Sequence, residues 1–147
     1  MSEEPNTPLH SVSVAAAVVD VDRVLVMRRR DNGRWEPPGG VLELAESIPD
    51  GLRREVREET GLIVEPDALT GVYKNLTRGV VALVFRCHAT GGVLAATAEA
   101  GDFRWLHRDD LAALVAPAYA VRLTDALDYA GTPAIRAHDG THVLAGL

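Results

Sequence analysis

Runs of apolar residues along the 147-residue chain predict most of its strands. Residues 11–20 (SVSVAAAVVD) and 24–27 consist mainly of β-branched and small side chains, so we expect two core strands separated by a short turn. Residues 80–90 (VVALVFRCHAT) alternate between two faces, which predicts a strand with one buried face. Cys87 lies on that face and is expected to be a small buried residue.

One amphipathic helix is predicted after residue 47. Ser47 is suited to cap its N-terminus, with Asp50 three residues later in a pattern similar to a capping box. Gly61 is expected to end the helix as a left-handed residue. Apolar residues four positions apart form a stripe that would pack on a sheet. These residues are Ile48, Leu52 and Val56.

Shorter elements are predicted further along the chain. The expected strands are 62–64, 69–73 and 103–106, the first two interrupted at Pro66-Asp67. A short helix is expected to open at Asp109 and to close at Pro117, and a second one to cover 118–130. The inward positions expected on that second helix are Val121, Leu123, Leu127 and Ala130.

These elements predict an α+β fold, an α/β/α sandwich with a mixed β-sheet, because strands flank one central helix and further helices follow. No internal repeat or change in composition divides the chain, so we expect one domain over residues 11–130. Residues 1–10 are acidic and contain proline, which indicates a disordered N-terminal lead. Residues 131–147 are expected to form a tail or a small hairpin, in which His138 and His142 are a weak metal-binding signal.

Composition narrows the classes of function. With 47% hydrophobic and 24% charged residues the chain has a globular composition, and no apolar run is long enough for a membrane span. The single cysteine excludes an intrachain disulfide, so we expect a cytoplasmic protein. A net charge of −6 argues against a nucleic-acid partner, which would usually require a broad basic face. Bound divalent cations can still give an acidic protein the positive charge that phosphate binding needs.

The candidate chemistry lies on the central helix. Glu55, Glu58 and Glu59 stand at positions i, i+3 and i+4, so their carboxylates share one helix face. Alone, this pattern is typical of a solvated face on which neighbouring arginines offset the repulsion. Clustered carboxylates are also the ligands preferred by Mg²⁺ and Mn²⁺ at sites that bind phosphates.

The wider spacing around these glutamates favours the second interpretation. Residues 40–62 fit G-x5-E-x7-R-E-U-x-E-E-x-G-U, where U is aliphatic. If each of the seven fixed residues occurs at roughly 7%, a chance match has a probability of about 10⁻⁸ per starting position. The pattern resembles the signature of the Nudix hydrolases. Its specified positions are Gly40, Glu46, Arg54, Glu55, Val56, Glu58, Glu59, Gly61 and Leu62.

The resemblance implies roles for these residues. Glu55, Glu58 and Glu59 would bind Mg²⁺, or Mn²⁺ in its place, and one of them could transfer a proton. Gly39 would add a carbonyl ligand, and Gly40 would let the backbone approach a metal or phosphate closely. Arg54 is expected to orient a glutamate.

Other candidates come from outside the motif. Arg28 and Arg30 belong to a basic run that is either solvated surface or a phosphate grip. In many members of the family a loop acid completes the metal site or acts as the base, and Glu99 matches that position, with Asp102 as the alternative. Tyr73 is a candidate for stacking on a base.

The implied activity is hydrolysis of a pyrophosphate bond in a nucleoside diphosphate linked to another moiety. The sequence marks of the ADP-ribose, dinucleoside-polyphosphate and NADH subgroups are missing, so a nucleoside or deoxynucleoside triphosphate is the favoured substrate. An ADP-ribose or nucleotide-sugar substrate is the first alternative, and a non-catalytic nucleotide sensor is the second. A homodimer is common for such a fold.

Overall fold

A computed structural model describes residues 6–144, and its helices and strands follow the apolar pattern closely. The expected disordered lead over 1–10 lies partly outside the described residues. The strands and helices are β1 (Ser11–Asp20), β2 (Arg23–Arg29), β3 (Trp35–Glu36), β4 (Gly39–Val41), α1 (Ile48–Thr60), β5 (Leu62–Asn75), β6 (Val80–Gly92), β7 (Ala100–His107), a 3-10 turn (Arg108–Asp110), α2 (Leu111–Leu114), α3 (Pro117–Leu127), β8 (Ala134–His138) and β9 (Val143–Leu144).

Within the described residues, nine strands form one mixed sheet, in which seven follow the order β3-β2-β1-β6-β5-β8-β9, while β4 pairs with β1 and β7 pairs with β2. Strand β1 is the central member: it runs parallel to β6 over Ser11–Val18 and antiparallel to β2 at its C-terminal end. At its N-terminal end β1 also pairs with β4, with Val14 opposite Gly40 and Ala15 opposite Gly39. The first strand therefore fixes the position of the glycine turn that precedes α1.

Helices cover both faces of the sheet, which confirms the predicted α/β/α sandwich. The side chains of β1 alternate between the faces, with Val14, Ala16 and Val18 in the core under α1 and Ala15 and Ala17 in the core under α3. This alternation is the period-two pattern of a strand that is buried on both sides.

Helix α1 begins and ends where the sequence predicts. The Ser47 side chain accepts a hydrogen bond from the Asp50 backbone N–H at 3.3 Å, and Gly61 has a left-handed φ of 81°. The predicted stripe is only partly right, since Leu52 and Val56 are fully buried but Ile48 is 39% exposed. Ile48 is the first helical residue and precedes the turn that contacts the sheet.

Three further predictions are only partly right. Strand β5 continues through Pro66 because shifts in its register with β6 absorb the proline. On α3 the predicted inward positions are right at Leu123, which is buried, and at Val121 and Leu127, which are partly buried against the same core, but Ala130 is exposed beyond the end of the helix. The prediction missed the buried residues Ala118, Arg122 and Ala126. In the segment expected as a tail or hairpin, β8 pairs with β9 and also lies parallel to β5. No helix in residues 6–144 is long and apolar enough to cross a membrane.

Candidate active site

Three carboxylates converge beside the glycine turn. Oxygen atoms of Glu55, Glu59 and Glu99 lie within 4.8 Å of one another. Glu55 and Glu59 come from adjacent turns of α1, and Glu99 comes from the loop that precedes β7. Glu58 is outside this group, with 55% of its side chain exposed. Asp102, the alternative to Glu99, is exposed and accepts a hydrogen bond from the Phe103 backbone N–H.

Glu59 is the most buried member of the group, at 1% exposure. Its Oε1 accepts a hydrogen bond from the Gly39 backbone N–H at 3.1 Å. Burial raises the pKa of Glu59 to about 9, and a hydrogen bond with Glu55 and repulsion from Glu55 and Glu99 act in the same direction. Within residues 6–144, no basic side chain forms an ion pair with Glu59. Among the described residues Glu59 therefore has no positive side chain to stabilise its charged form, whereas Glu55 is paired with Arg54.

A threonine that the sequence analysis missed fixes the loop carrying Glu99. The Thr97 hydroxyl donates to the Glu59 backbone carbonyl at 2.9 Å and accepts from the Ala100 backbone N–H at 3.1 Å. Arg30 holds the same loop from the other side, because its Nε donates to the Thr97 carbonyl at 2.7 Å. These bonds join the loop to the C-terminal end of α1. No local sequence pattern marks Thr97 for this role.

Arg54 binds the remaining acids of the motif. Its Nη2 and Nε form a two-pronged contact with Glu46, at 2.6 and 2.8 Å. Its Nη1 lies 3.0 Å from Glu55 Oε1 and 3.2 Å from Glu58 Oε2. The Arg54 hydrogen bond lowers the pKa of Glu46 to about 2, so this pair stays charged at neutral pH. Arg54 thus contacts glutamates of the motif that the resemblance expects it to orient.

The glycines of the turn let two elements approach it closely. A Cβ on Gly39 would overlap the backbone of β1 at Val14 and Ala15. A Cβ on Gly40 would overlap the carboxylate of Glu55. The turn is thus held tightly between the sheet and the carboxylates, with no room for a side chain at either glycine.

The candidates for substrate binding lie in different environments, some at the surface and one in the core. The Arg28 and Arg30 side chains lie at the end of β2, where Arg28 Nε donates to the Gly33 carbonyl at 3.2 Å. The ring of Tyr73 is 1% exposed and its hydroxyl donates to Asp125 at 2.7 Å. A base cannot stack on a ring enclosed by the core, so the suggested stacking role of Tyr73 does not fit this structure. Trp35 packs against the core beneath α3, and Arg104 covers its ring at 4.9 Å.

A cleft beside the glycine turn brings in Arg122, which the sequence analysis overlooked, and His138, which it considered only as a weak metal-binding signal. It is lined by Gly39, Gly40, Glu36, Arg122 and His138, among others. Arg122 has the spacing of a buried residue, four positions from both Ala118 and Ala126, and this signal could have identified it.

Comparison with known proteins identifies the class of protein to which this arrangement belongs. A family model described as the NUDIX domain matches residues 9–126, and the chain therefore belongs to the Nudix hydrolase family. The resemblance seen in the motif is confirmed, and so is the mixed sheet flanked by helices.

Individual relatives show how widely this family varies. A "MutT-like protein" of Streptomyces ambofaciens is 57% identical over 143 residues, covering 97% of this chain and 92% of the relative. An "ADP-ribose pyrophosphatase" of Methanocaldococcus jannaschii is 31% identical over 70% of this chain and 66% of the relative. A crystal structure of an ADP-ribose pyrophosphatase from Streptococcus suis superposes with a TM-score of 0.74 and 26% identity, covering 88% of this chain and 100% of that one.

Proposed function

We propose that this chain hydrolyses a pyrophosphate bond of a nucleoside or deoxynucleoside triphosphate, with Glu55, Glu59 and Glu99 binding a divalent cation. The observation that carries the proposal is the convergence of these carboxylates, within 4.8 Å, at the end of a glycine turn. Glu58 belongs to the proposed catalytic set as the exposed acid that Arg54 holds beside Glu55.

The residues fit Mg²⁺, with Mn²⁺ as a substitute. Three carboxylate oxygens form a hard donor set, and the family resemblance adds the Gly39 carbonyl. Burial and the neighbouring carboxylates raise the pKa of Glu59, so a cation bound here would take the place of the proton that this carboxyl favours. When bound, such a cation neutralises a diphosphate and lowers the pKa of a water ligand.

The protein residues then supply positioning and proton transfer. The Gly39 N–H fixes Oε1 of Glu59, and Arg54 fixes Oε1 of Glu55. Glu99 is the most solvent-exposed of the three converging acids, so its carboxylate can pass a proton to solvent. Arg30 is proposed to contact substrate phosphates, because its Nε binds the Thr97 carbonyl in the loop that carries Glu99. Arg28 is proposed to assist it, because both arginines line the same recess at the end of β2. The Gly40 backbone would contact the phosphates from the opposite side.

ADP-ribose is the second candidate substrate. It is favoured by the names of two relatives, the archaeal protein and the Streptococcus suis structure, both called ADP-ribose pyrophosphatase. The residues that follow the motif favour the triphosphate, because the proline typical of the ADP-ribose subgroup is absent from Asn75–Arg78.

The test is Mg²⁺-dependent release of hydrolysis products, separated by chromatography, from nucleoside triphosphates, ADP-ribose, nucleotide sugars and dinucleoside polyphosphates. We expect turnover of triphosphates in wild-type protein, loss of turnover with a chelator, and a loss of about 10²–10⁴-fold in Glu59→Gln. Arg53→Gln is a matched control on the same helix, since Arg53 pairs with Asp50 and Glu65 away from the site. Tight nucleotide binding without release from any compound would instead identify a sensor.

A further inference from the structure

The three converging carboxylates differ in what holds each of them in place. Their oxygen atoms lie within 4.8 Å of one another, and like charges at that distance repel. The Gly39 N–H holds Glu59, and the Arg54 guanidinium holds Glu55. Among residues 6–144, the carboxylate of Glu99 has neither a hydrogen bond nor an ion pair. The position of Glu99 therefore depends on the backbone of the loop that carries it.

That part of the loop is a tight turn over residues 97–100. The Thr97 N–H donates to the Ala100 carbonyl at 2.9 Å, and the Thr97 hydroxyl accepts in return from the Ala100 N–H at 3.1 Å. The Glu99 N–H also donates to this hydroxyl, at 3.4 Å. One side-chain oxygen thus closes the turn from within and fixes the backbone of the residue that bears the acid.

The same oxygen joins the turn to helix α1. The Thr97 hydroxyl donates its proton to the backbone carbonyl of Glu59 at 2.9 Å. That carbonyl lies in the last turn of α1, where carbonyls have no partner within the helix. Because Glu59 also supplies one of the converging carboxylates, this hydrogen bond fixes the separation between the backbones of Glu59 and Glu99.

Other hydrogen bonds keep the loop folded without the hydroxyl. The Ala95 N–H donates to the Thr60 carbonyl at 3.1 Å. From the side of β2, Arg30 donates to the carbonyls of Thr97 and Glu99, at 2.7 and 3.0 Å. None of these bonds fixes the turn against the face of α1 that carries the carboxylates. Removal of the hydroxyl should therefore leave the loop in place but let the turn move away from that face.

We infer that Thr97 is a positioning residue for Glu99, and that its hydroxyl sets the affinity of the site for a divalent cation. Partners that orient metal ligands typically contribute about 10–100-fold to metal affinity. Thr97 acts through Glu99, so its contribution should vanish when Glu99 can no longer offer a charged ligand. This inference deepens the proposed function and rests on it for the identity of the acids that bind the cation.

The experiment measures the affinity of the substrate-free protein for Mn²⁺, from the electron paramagnetic resonance signal of the unbound ion. Thr97→Val keeps the shape of the side chain without its hydroxyl, and Thr97→Ala is a second, smaller variant without it. Thr97→Ser keeps the hydroxyl. Thr90→Val is the matched control, because the Thr90 hydroxyl on β6 donates to the Ile63 carbonyl at 3.3 Å and does not contact the turn. Thermal melting without metal identifies any variant that fails to fold.

We expect Thr97→Val and Thr97→Ala to weaken Mn²⁺ binding by about tenfold or more. Thr97→Ser and Thr90→Val should bind Mn²⁺ as wild type does. Wild-type affinity in the folded variants without the hydroxyl would overturn the inference. An equal loss in Thr97→Ser and Thr97→Val would also overturn it, since the hydroxyl would then not be the group responsible.

A double-mutant cycle tests whether Thr97 acts through Glu99. In Glu99→Gln the charged ligand is already lost, so the addition of Thr97→Val should weaken Mn²⁺ binding no further. A second loss, as large as that caused by Thr97→Val alone, would mean that Thr97 acts on Glu59 or on the end of α1. That result would overturn the inference.

The Mn²⁺ titration also separates this inference from the proposed function. If no nucleotide is hydrolysed but Mn²⁺ binding depends on the Thr97 hydroxyl through Glu99, the activity is wrong and the role of Thr97 stands. If nucleotides are hydrolysed but wild type binds no Mn²⁺ without substrate, or Thr97→Val binds it equally well, the activity stands and the role of Thr97 is wrong.

Discussion

The Glu55 carboxylate lies directly against the α-carbon of Gly40, so that a side chain at residue 40 would occupy the position of that carboxylate. The neighbouring glycine differs, since a Cβ on Gly39 would meet the rigid backbone of β1. A flexible carboxylate can move away from a methyl group, whereas strand backbone cannot. The two glycines should therefore respond differently to the same substitution.

Gly40→Ala should keep the fold and lose activity. Displacing the Glu55 carboxylate by about 1 Å is expected to lower kcat on the best substrate by about 10²-fold, with little change in melting temperature. Gly39→Ala should lower the stability itself, by about 1–3 kcal/mol, because overpacking strains the core. Gly91→Ala is the control, since its Cβ would make ordinary contacts with Ile63. Wild-type turnover in Gly40→Ala would show that Glu55 has no part in the reaction.

The two adjacent glutamates of the motif should differ in their effect on the rate. Glu59 is buried among the other carboxylates and Glu58 is more than half exposed. We expect Glu59→Gln to lower kcat by about 10²–10⁴-fold and Glu58→Gln to lower it less. Steady-state kinetics at saturating Mg²⁺ tests the order. A larger loss in Glu58→Gln would mean that the side chains rearrange when substrate binds.

The helical pattern explains why part of the site could be predicted. Residues advance by about 100° on a helix, so Glu55 and Glu59 are neighbours and Glu59 also falls beside the buried residues Leu52 and Val56. Glu58 points away from that core, so the same periodicity also indicates that Glu58 lies outside the buried group. Helix capping and helical periodicity are local properties of the sequence. They therefore predicted the positions of Ser47, Gly61 and the glutamates at or within α1.

Long-range contacts explain what could not be predicted. Arg122 and His138 are 16 residues apart and meet because α3 packs on the sheet and β8 joins the edge of β5. The pairing of Thr97 with the end of α1 likewise depends on tertiary packing. Tyr73 lies on a strand that the hydrophobic pattern predicted. Its ring is buried because α3 packs over it, and this contact could not be predicted from the local pattern.

Arg54→Lys should lower the rate although it keeps the charge. A lysine cannot make the two-pronged contact with Glu46 while also holding Glu55, so the carboxylates lose their fixed orientation. We expect kcat to fall by about 10–100-fold, as for other partners that orient metal ligands. Arg53→Lys, one residue earlier and paired with Glu65, should leave kcat unchanged. Equal effects of the two substitutions would indicate a general loss of helix stability.

The metal-free protein should become less stable as the pH rises above neutrality. The pKa of Glu59 is raised from 4.5 to about 9 in the folded state, so between these values the native protein binds more protons than the unfolded chain. The free energy of unfolding must then fall as the pH increases through that window. His138 acts in the opposite direction, but only below its ordinary pKa of 6.5, because its pKa is lowered on folding.

Urea unfolding in the presence of a chelator, from about pH 7 to about pH 8.5, therefore isolates the carboxylate group. Glu59→Gln should remove most of the slope, because an amide keeps the shape of the side chain and does not titrate. Burial raises the pKa of the Cys87 thiol to about 12. Cys87 is present in both wild type and Glu59→Gln, so any pH-dependent loss of stability that comes from its thiol is the same in the two proteins. Saturating Mg²⁺ should also remove the slope in wild type, because a cation that holds the carboxylates in their charged form replaces the proton. Parallel curves for wild type and Glu59→Gln would show that Glu59 is already ionised in the metal-free protein, which would contradict the raised pKa.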